Sequence, residues 1–255
     1  MNKRNWVFGI MLTLCLGWIL PGLSAQEMEN NFGMVYIVEG YPDKIDELYE
    51  AIKDHAEWRE DHGDPWSWDV YQVVVGEGLT NFEIVSFGHN LEDFDAYQEF
   101  LDKGSEKWRE DVMPYISKIT NLISMLHWDC TNWPEGTAND YVMIMDFLVK
   151  PGQQWKLKDS FMQVHKTMME EEHPVHYSFH TNFAGGDREV ATIAIPASSY
   201  AELAGPDESV WDLMVRVHGE DKAGEVFGDM DSSSVKKEIY ILKKLPDLCV
   251  TAAED

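Results

Sequence analysis

The spacing of apolar residues alternates along the chain between a period of two and a helical period, and each change of period marks an element. "GMVYIVEG" (33–40) is strand-like. In "PDKIDELYEAIKDHAEWREDHG" (42–63), Ile45, Leu48, Tyr49 and Ile52 recur at i, i+3, i+4 and i+7 behind Pro42, which predicts an amphipathic helix. "WSWDVYQVVVG" (66–76) and "FEIVSFGH" (82–89) read as two strands joined through the Gly76/Gly78 region. "LEDFDAYQEFLDKG" (91–104) predicts a second helix stopped by Gly104, followed by a short helical piece near Met113 and a strand at about 120–127.

The second half repeats the order. "YVMIMDFLV" (141–149) is a strand, "PGQQWKLKDSFMQVHKTMMEEE" (151–172) a proline-led helix, and "VHYSFHTNFAGG" (175–186) with "REVATIAIP" (188–196) a strand pair around glycine. "SSYAELA" (198–204) is expected to begin the second helix, and "KKEIYILKK" (236–244) closes the unit. Pro65 and Pro174 lie 109 residues apart, as do Gly76 and Gly185; His55 and His165 lie 110 apart, and Cys130 and Cys249 lie 119 apart. The later offset places about ten extra residues within 205–222. The expected organisation is a signal peptide (1–25), a first repeat (26–128), a turn-rich linker (129–139) and a second repeat (140–255).

A β-α-β-β-α-β unit is the ferredoxin-like plait of the α+β class, with both helices on one face of a four-stranded antiparallel sheet. Two plaits in one chain can bury their naked sheet faces against each other. In this the sequence resembles the dimeric α/β-barrel superfamily, which includes antibiotic-biosynthesis-monooxygenase, stress-responsive A/B-barrel and NIPSNAP-like proteins. The resemblance covers nearly the whole chain after residue 25 and rests on topology and duplication; no short catalytic motif accompanies it. It implies a pseudo-dimeric α/β barrel with a pocket between sheet and helices in each half. Because a helix histidine holds haem in some related barrels, it also brings haem at His165 into view, although no C-x-x-C-H is present.

The first residues change the picture of location. Lys3 and Arg4 precede an apolar run, Trp6 to Leu20, and Pro21-Gly22 and Leu23-Ser24-Ala25 then supply a break and a small-residue cleavage site. The expectation is export to the periplasm or exterior, with a retained anchor as the alternative. Loss of Lys3 and Arg4 would carry the net charge from −26 to −28. Such a field repels phosphate backbones and anionic lipid heads, so neither nucleic acid nor a membrane surface is an expected partner.

Candidate chemistry is carried by histidines and aromatic residues. On a strand, His176, Ser178, His180 and Asn182 share one face, and Val175, Tyr177, Phe179, Thr181 and Phe183 share the other, more apolar face. His176 and His180 would stand about 13 Å apart at ~3.3 Å per residue. One ion cannot bridge that span, so no metal is predicted. His55 and His165, and also His62 and His173, take matching places in the two repeats, with Trp58 between His55 and His62 on one helix face. These seven residues are the candidate pocket. Cys130 and Cys249 follow the last strand of each repeat, where a two-fold relation could bring them together as a disulfide. Nucleophile-elbow, zinc-protease and nucleotide-binding motifs are absent from the sequence.

The leading expectation is an exported protein, a monomer or a higher homo-oligomer, that binds a small apolar or aromatic molecule in a sheet–helix pocket and acts on it, if at all, without a cofactor. A non-catalytic structural or partner-binding module is the alternative, and a haem- or metal-dependent oxidoreductase the third.

Overall fold

The computed structural model describes residues 31–186 and 188–253; the expected signal peptide lies outside them. The first repeat runs β1 (Phe32–Gly40), α1 (Ile45–Asp61), β2 (Asp69–Val75), β3 (Asn81–His89), α2 (Leu91–Asp111) and β4 (Ile116–Leu126). The second runs β5 (Tyr141–Val149), α3 (Gln154–Glu170), β6 (Ser178–Gly185), β7 (Val190–Ala197), α4 (Val210–His218), α5 (Glu220–Ser232) and β8 (Ser234–Lys244).

Each repeat forms an antiparallel sheet, β4-β1-β3-β2 and β8-β5-β7-β6. Their naked faces turn inward as expected. In addition, the edge strands pair, β2 with β8 and β4 with β6, so the eight strands close into one barrel without a free edge. The glycines 109 residues apart explain themselves here. Gly76 (φ 122°) backs onto Tyr240 at the first seam, and Gly185 (φ 82°) onto the Asn121–Leu122 backbone at the second. A methyl group on Gly185 would come 2.5 Å from the Asn121 carbonyl oxygen. Only glycine fits both the left-handed backbone and the close approach.

Two helix predictions need correction. Gly104 does not stop α2, which continues to Asp111. The helix is nucleated by a capping box, in which the Asn90 side chain accepts from the Glu92 and Asp93 amides while Asp93 accepts from the Asn90 amide. Once formed, it propagates through one glycine at modest cost. Residues 198–204 contribute a single 3₁₀ turn, because Glu202 folds back to accept from both the amide and the hydroxyl of Ser198. The helix begins at Val210 behind the Ser209 cap and breaks at Gly219 (φ 85°) into two, which absorbs the longer connection of the second repeat.

The segments after β4 and β8 cross to the opposite repeat. Asn132 exchanges two backbone hydrogen bonds with Tyr177, at 2.8 Å each, and Val250 does the same with Trp68, at 2.9 and 2.8 Å. This crossing overturns the expected disulfide. Cys130 is sealed in the core of the second repeat, Cys249 accepts from the Val70 amide in the first, and both are free thiols. The pseudo-two-fold carries the two thiols into separate cores instead of toward the axis. Among the described residues no helix is long and apolar enough to cross a membrane.

Candidate functional site

The apolar stripe of α1 contains Ile52, His55, Ala56 and Arg59 in helical spacing, so it delivers an imidazole and a guanidinium to the sheet along with its aliphatic groups. Between this stripe, the sheet and α2 lies a cavity of about 270 Å³. Tyr36, Trp68, Val70 and Ile84 form its floor, Trp108 and Ser105 its α2 wall, and Leu248 and Val250 from the crossing tail its end. Gly104 presents no side chain where α2 passes over Trp58 and Arg59, and this keeps the cavity open.

Arg59 is anchored from behind. Its Nε donates to Asp64 at 2.6 Å, and its Nη2 donates to the Tyr97 hydroxyl. Tyr97 in turn donates to Asp64 at 3.2 Å, and the Trp66 amide donates to the other Asp64 oxygen at 2.9 Å. The guanidinium lies 4.9 Å from the Trp68 ring centre and 5.6 Å from that of Phe100. Asp64 has no solvent exposure, so its charge depends on this network.

His55 stands against the edge of Trp108, with ring centres 5.1 Å apart, and its Nε2 lies 3.5 Å from Nη1 of Arg59. Arginine can only donate, so Nε2 accepts and the proton sits on Nδ1. That Nδ1–H is buried and meets no partner among the described residues. Burial, and then the Arg59 charge, hold the imidazole down at about 3. It is therefore neutral near pH 7 and a very weak base, suited to donating a hydrogen bond but not to taking up a proton.

The other candidates scatter. Trp58 stacks between His55 and the exposed His62 behind the cavity wall, and His62 Nδ1 binds the Trp58 carbonyl at 2.7 Å. His165 is half-buried on the flank of α3, where its Nδ1 meets the Tyr177 hydroxyl at 2.8 Å and burial lowers its pKa. The match with His55 slips by one residue: α1 and α3 start 109 apart, so the counterpart of His55 is the buried Val164. One residue turns a helix position by about 100°, which rotates His165 off the sheet face. His173 is buried at the helix exit and donates through Nε2 to the Glu208 carbonyl at 3.1 Å. His176 is half-buried with no partner at Nδ1. His180 faces the barrel lumen, not the helices, beside Ser178 at 2.7 Å, and burial followed by the His127 charge holds it at about 3.

The corresponding cavity of the second repeat measures about 160 Å³ and is lined by Phe161, Val164, Met168 and Phe227, with His165 off its wall. The residues present do not fit a haem: His165 stands off the wall of the second cavity, whose volume of about 160 Å³ is too small for a porphyrin, and the Nε2 of His55 faces a guanidinium. Among the described residues no group of three or more His, Cys, Asp or Glu side chains is placed to hold a metal ion.

Sequence reasoning missed Arg59, Asp64, Tyr97 and Trp108. An arginine on the apolar stripe of α1 was the available signal. It also missed Glu83 and Asp146, each an acid within the lumen-facing row of a strand.

No family model and no curated protein matches the chain. Solved structures with a similar fold include a candidate monooxygenase from Fusobacterium nucleatum, with TM-score 0.55 and 12% identity over 89% of this chain and 97% of that one. A candidate monooxygenase from Lactobacillus acidophilus NCFM follows, with TM-score 0.52 and 13% identity over 89% and 99%. An anthrone oxidase-like protein gives TM-score 0.51 and 13% identity over 83% and 91%. At these identities the likeness is one of fold. The chain shares their fold, an α/β barrel closed by eight antiparallel strands from two plaits on a single polypeptide.

Proposed function

We propose that this is an exported protein that binds a small, largely apolar molecule carrying an aromatic ring and a hydrogen-bond acceptor, in the sheet–helix cavity of the first repeat. The observation that carries the reading is the buried, unpartnered Nδ1–H of His55 on the wall of a tryptophan-lined cavity. A ligand oxygen would satisfy that donor, and ring stacking on Trp68 and Trp108 would supply most of the affinity. The reading is one of binding, since the imidazole is too weak a base to abstract a proton near neutrality. Export rests on the pattern of residues 1–25, and N-terminal sequencing of the secreted chain should begin at Gln26; a chain that keeps its first residues would reject cleavage.

The test uses 4-nitrophenol, followed by quenching of tryptophan emission. Wild-type protein should be quenched saturably. Ser105→Phe should abolish saturation by filling the cavity. His55→Val should weaken binding by about fivefold, the worth of one hydrogen bond. Equal affinity in all three proteins would reject the site.

A further inference from the structure

The barrel lumen encloses a second cavity, of about 340 Å³, formed by the sheet faces turned away from the helices. Three carboxyl groups reach it: Asp69 from β2, Glu83 from β3 and Asp146 from β5. Asp69 is answered by Lys244 Nζ at 2.8 Å. Asp146 accepts from the Thr192 hydroxyl at 2.6 Å and the Tyr240 hydroxyl at 3.2 Å. Glu83, nine-tenths buried, also lies against the Tyr240 hydroxyl. However, a phenol has one proton, and Tyr240 must share it between Asp146 and Glu83. The two acids thus have that one shared proton between them, Asp146 alone has the further Thr192 donor, and among the described residues no lysine or arginine lines the cavity.

The repeat shows how this arose. Glu83 and Thr192 occupy equivalent positions 109 residues apart, as do Ile37 and Asp146, and each pair is joined in register: Ile37 opposite Glu83, Asp146 opposite Thr192. The acid of the second repeat faces a hydroxyl donor, whereas the acid of the first faces an isoleucine. His180 also lines the lumen, with its Nδ1 buried and unpartnered. Tyr71, Phe87, Trp128 and Trp133 supply aromatic faces, and Trp128, half exposed, marks an approach from solvent. Carboxylates among aromatic rings form the setting in which an organic ammonium is held by charge, hydrogen bonds and cation–π contact.

We propose that the barrel lumen binds a small organic cation, a primary ammonium on an aromatic or alkyl body, whose N–H groups satisfy Glu83 and Asp146. The groups facing Glu83 are Asp146, Tyr240, Tyr71, Asp69 and neutral His180, with Lys244 paired to Asp69 outside the lining. Burial, reinforced by the Asp146 charge and opposed by the Tyr240 hydroxyl, raises Glu83 to about 7. An arriving ammonium ion favours the ionised form, so binding releases a proton below that pH and tightens as pH rises.

The experiment is calorimetry on the intact protein with benzylammonium at pH 6 and pH 8, and with benzyl alcohol as the uncharged control of the same shape. Affinity for benzylammonium should rise about tenfold between the two pH values, in step with ionisation of Glu83. Benzyl alcohol should bind at least about tenfold more weakly, as one lost ion pair implies. Glu83→Gln should remove both the pH dependence and the preference for the cation, and Asp146→Asn should weaken the preference in a second background if Glu83→Gln does not fold. Ser105→Phe, which fills the other cavity, should leave benzylammonium binding unchanged. Equal binding of amine and alcohol, no binding of benzylammonium, or loss of binding in Ser105→Phe would each overturn the proposal. The last outcome would assign the amine to the sheet–helix cavity.

Discussion

Arg59 and Asp64 of the first repeat stand where Met168 and His173 stand in the second, and the local backbone is the same in both. The Asp64 amide bonds the Arg59 carbonyl at 3.0 Å, and the His173 amide bonds the Met168 carbonyl at 2.8 Å. Around this shared turn the interiors diverge. In the second repeat a flexible thioether packs among Phe161, Val164 and Phe227 and leaves about 160 Å³. In the first, a planar cation is drawn toward the buried Asp64, and about 270 Å³ stays open in front of it. Duplication supplied two equivalent layers. One is close to an ordinary core, and the other spends stability on a polar network that a ligand cavity can use.

The strongest way to break this comparison is to make the first layer resemble the second. Arg59→Met strands the Asp64 charge in a fully buried site and should cost about 3–5 kcal/mol in denaturant unfolding. Adding Asp64→His should recover most of the loss, since no buried charge is then left unpaired. A cost below about 1 kcal/mol for the single variant would show that the network is not what distinguishes the layers.

The pH dependence of stability separates the first layer from the lumen. Glu83 is raised from 4.5 to about 7 in the folded protein, so its contribution is fully present below pH 4.5 and lost as pH rises through 7. Glu83→Gln should abolish that decline, a difference of about 3 kcal/mol by pH 8. His55 is depressed from 6.5 to about 3, so its contribution is present above pH 6.5 and lost as pH falls toward 3. His55→Val should flatten the acid limb and leave the alkaline one untouched. Melting temperatures taken across pH 3–8 would show either limb in the wrong variant.

The smallest expected effect sharpens the role of the gap in α2. A methyl group at Gly104 would lie 3.7 Å from Trp58, an ordinary contact. Gly104→Ala should therefore stabilise the protein by up to about 1 kcal/mol through helix propensity. It should also weaken 4-nitrophenol binding, because the methyl group enters the cavity. Tighter binding would contradict the idea that glycine is there to keep space.

Much of this was legible in the chain. Period-two alternation placed Ser178, His180 and Asn182 on one face of β6 and Phe179 on the other, and they do line the lumen and the second repeat's core respectively. The charged residues that make the cavities distinctive were harder to read. The place of Arg59 on the apolar stripe of α1 was visible, but nothing in the sequence showed that Asp64 would hold it inward while Arg109, on α2, stays exposed. The Glu83–Tyr240–Asp146 cluster joins three strands of both repeats, and no spacing along the chain encodes it. The histidine match failed for a related reason. Aligning by residue type gave His165, whereas aligning by helix start gives Val164.

Apolar periodicity and the doubled landmarks by themselves determined the plait, its duplication and the inward turn of the sheets, because each follows from local geometry and from the need to cover apolar faces. Only the tertiary structure decided which edges pair to close the barrel, that the tails cross and separate the two thiols, and which polar side chains are left facing each other without water. Those outcomes depend on distances between residues remote in sequence, where a shift of one position rotates a side chain away from the cavity.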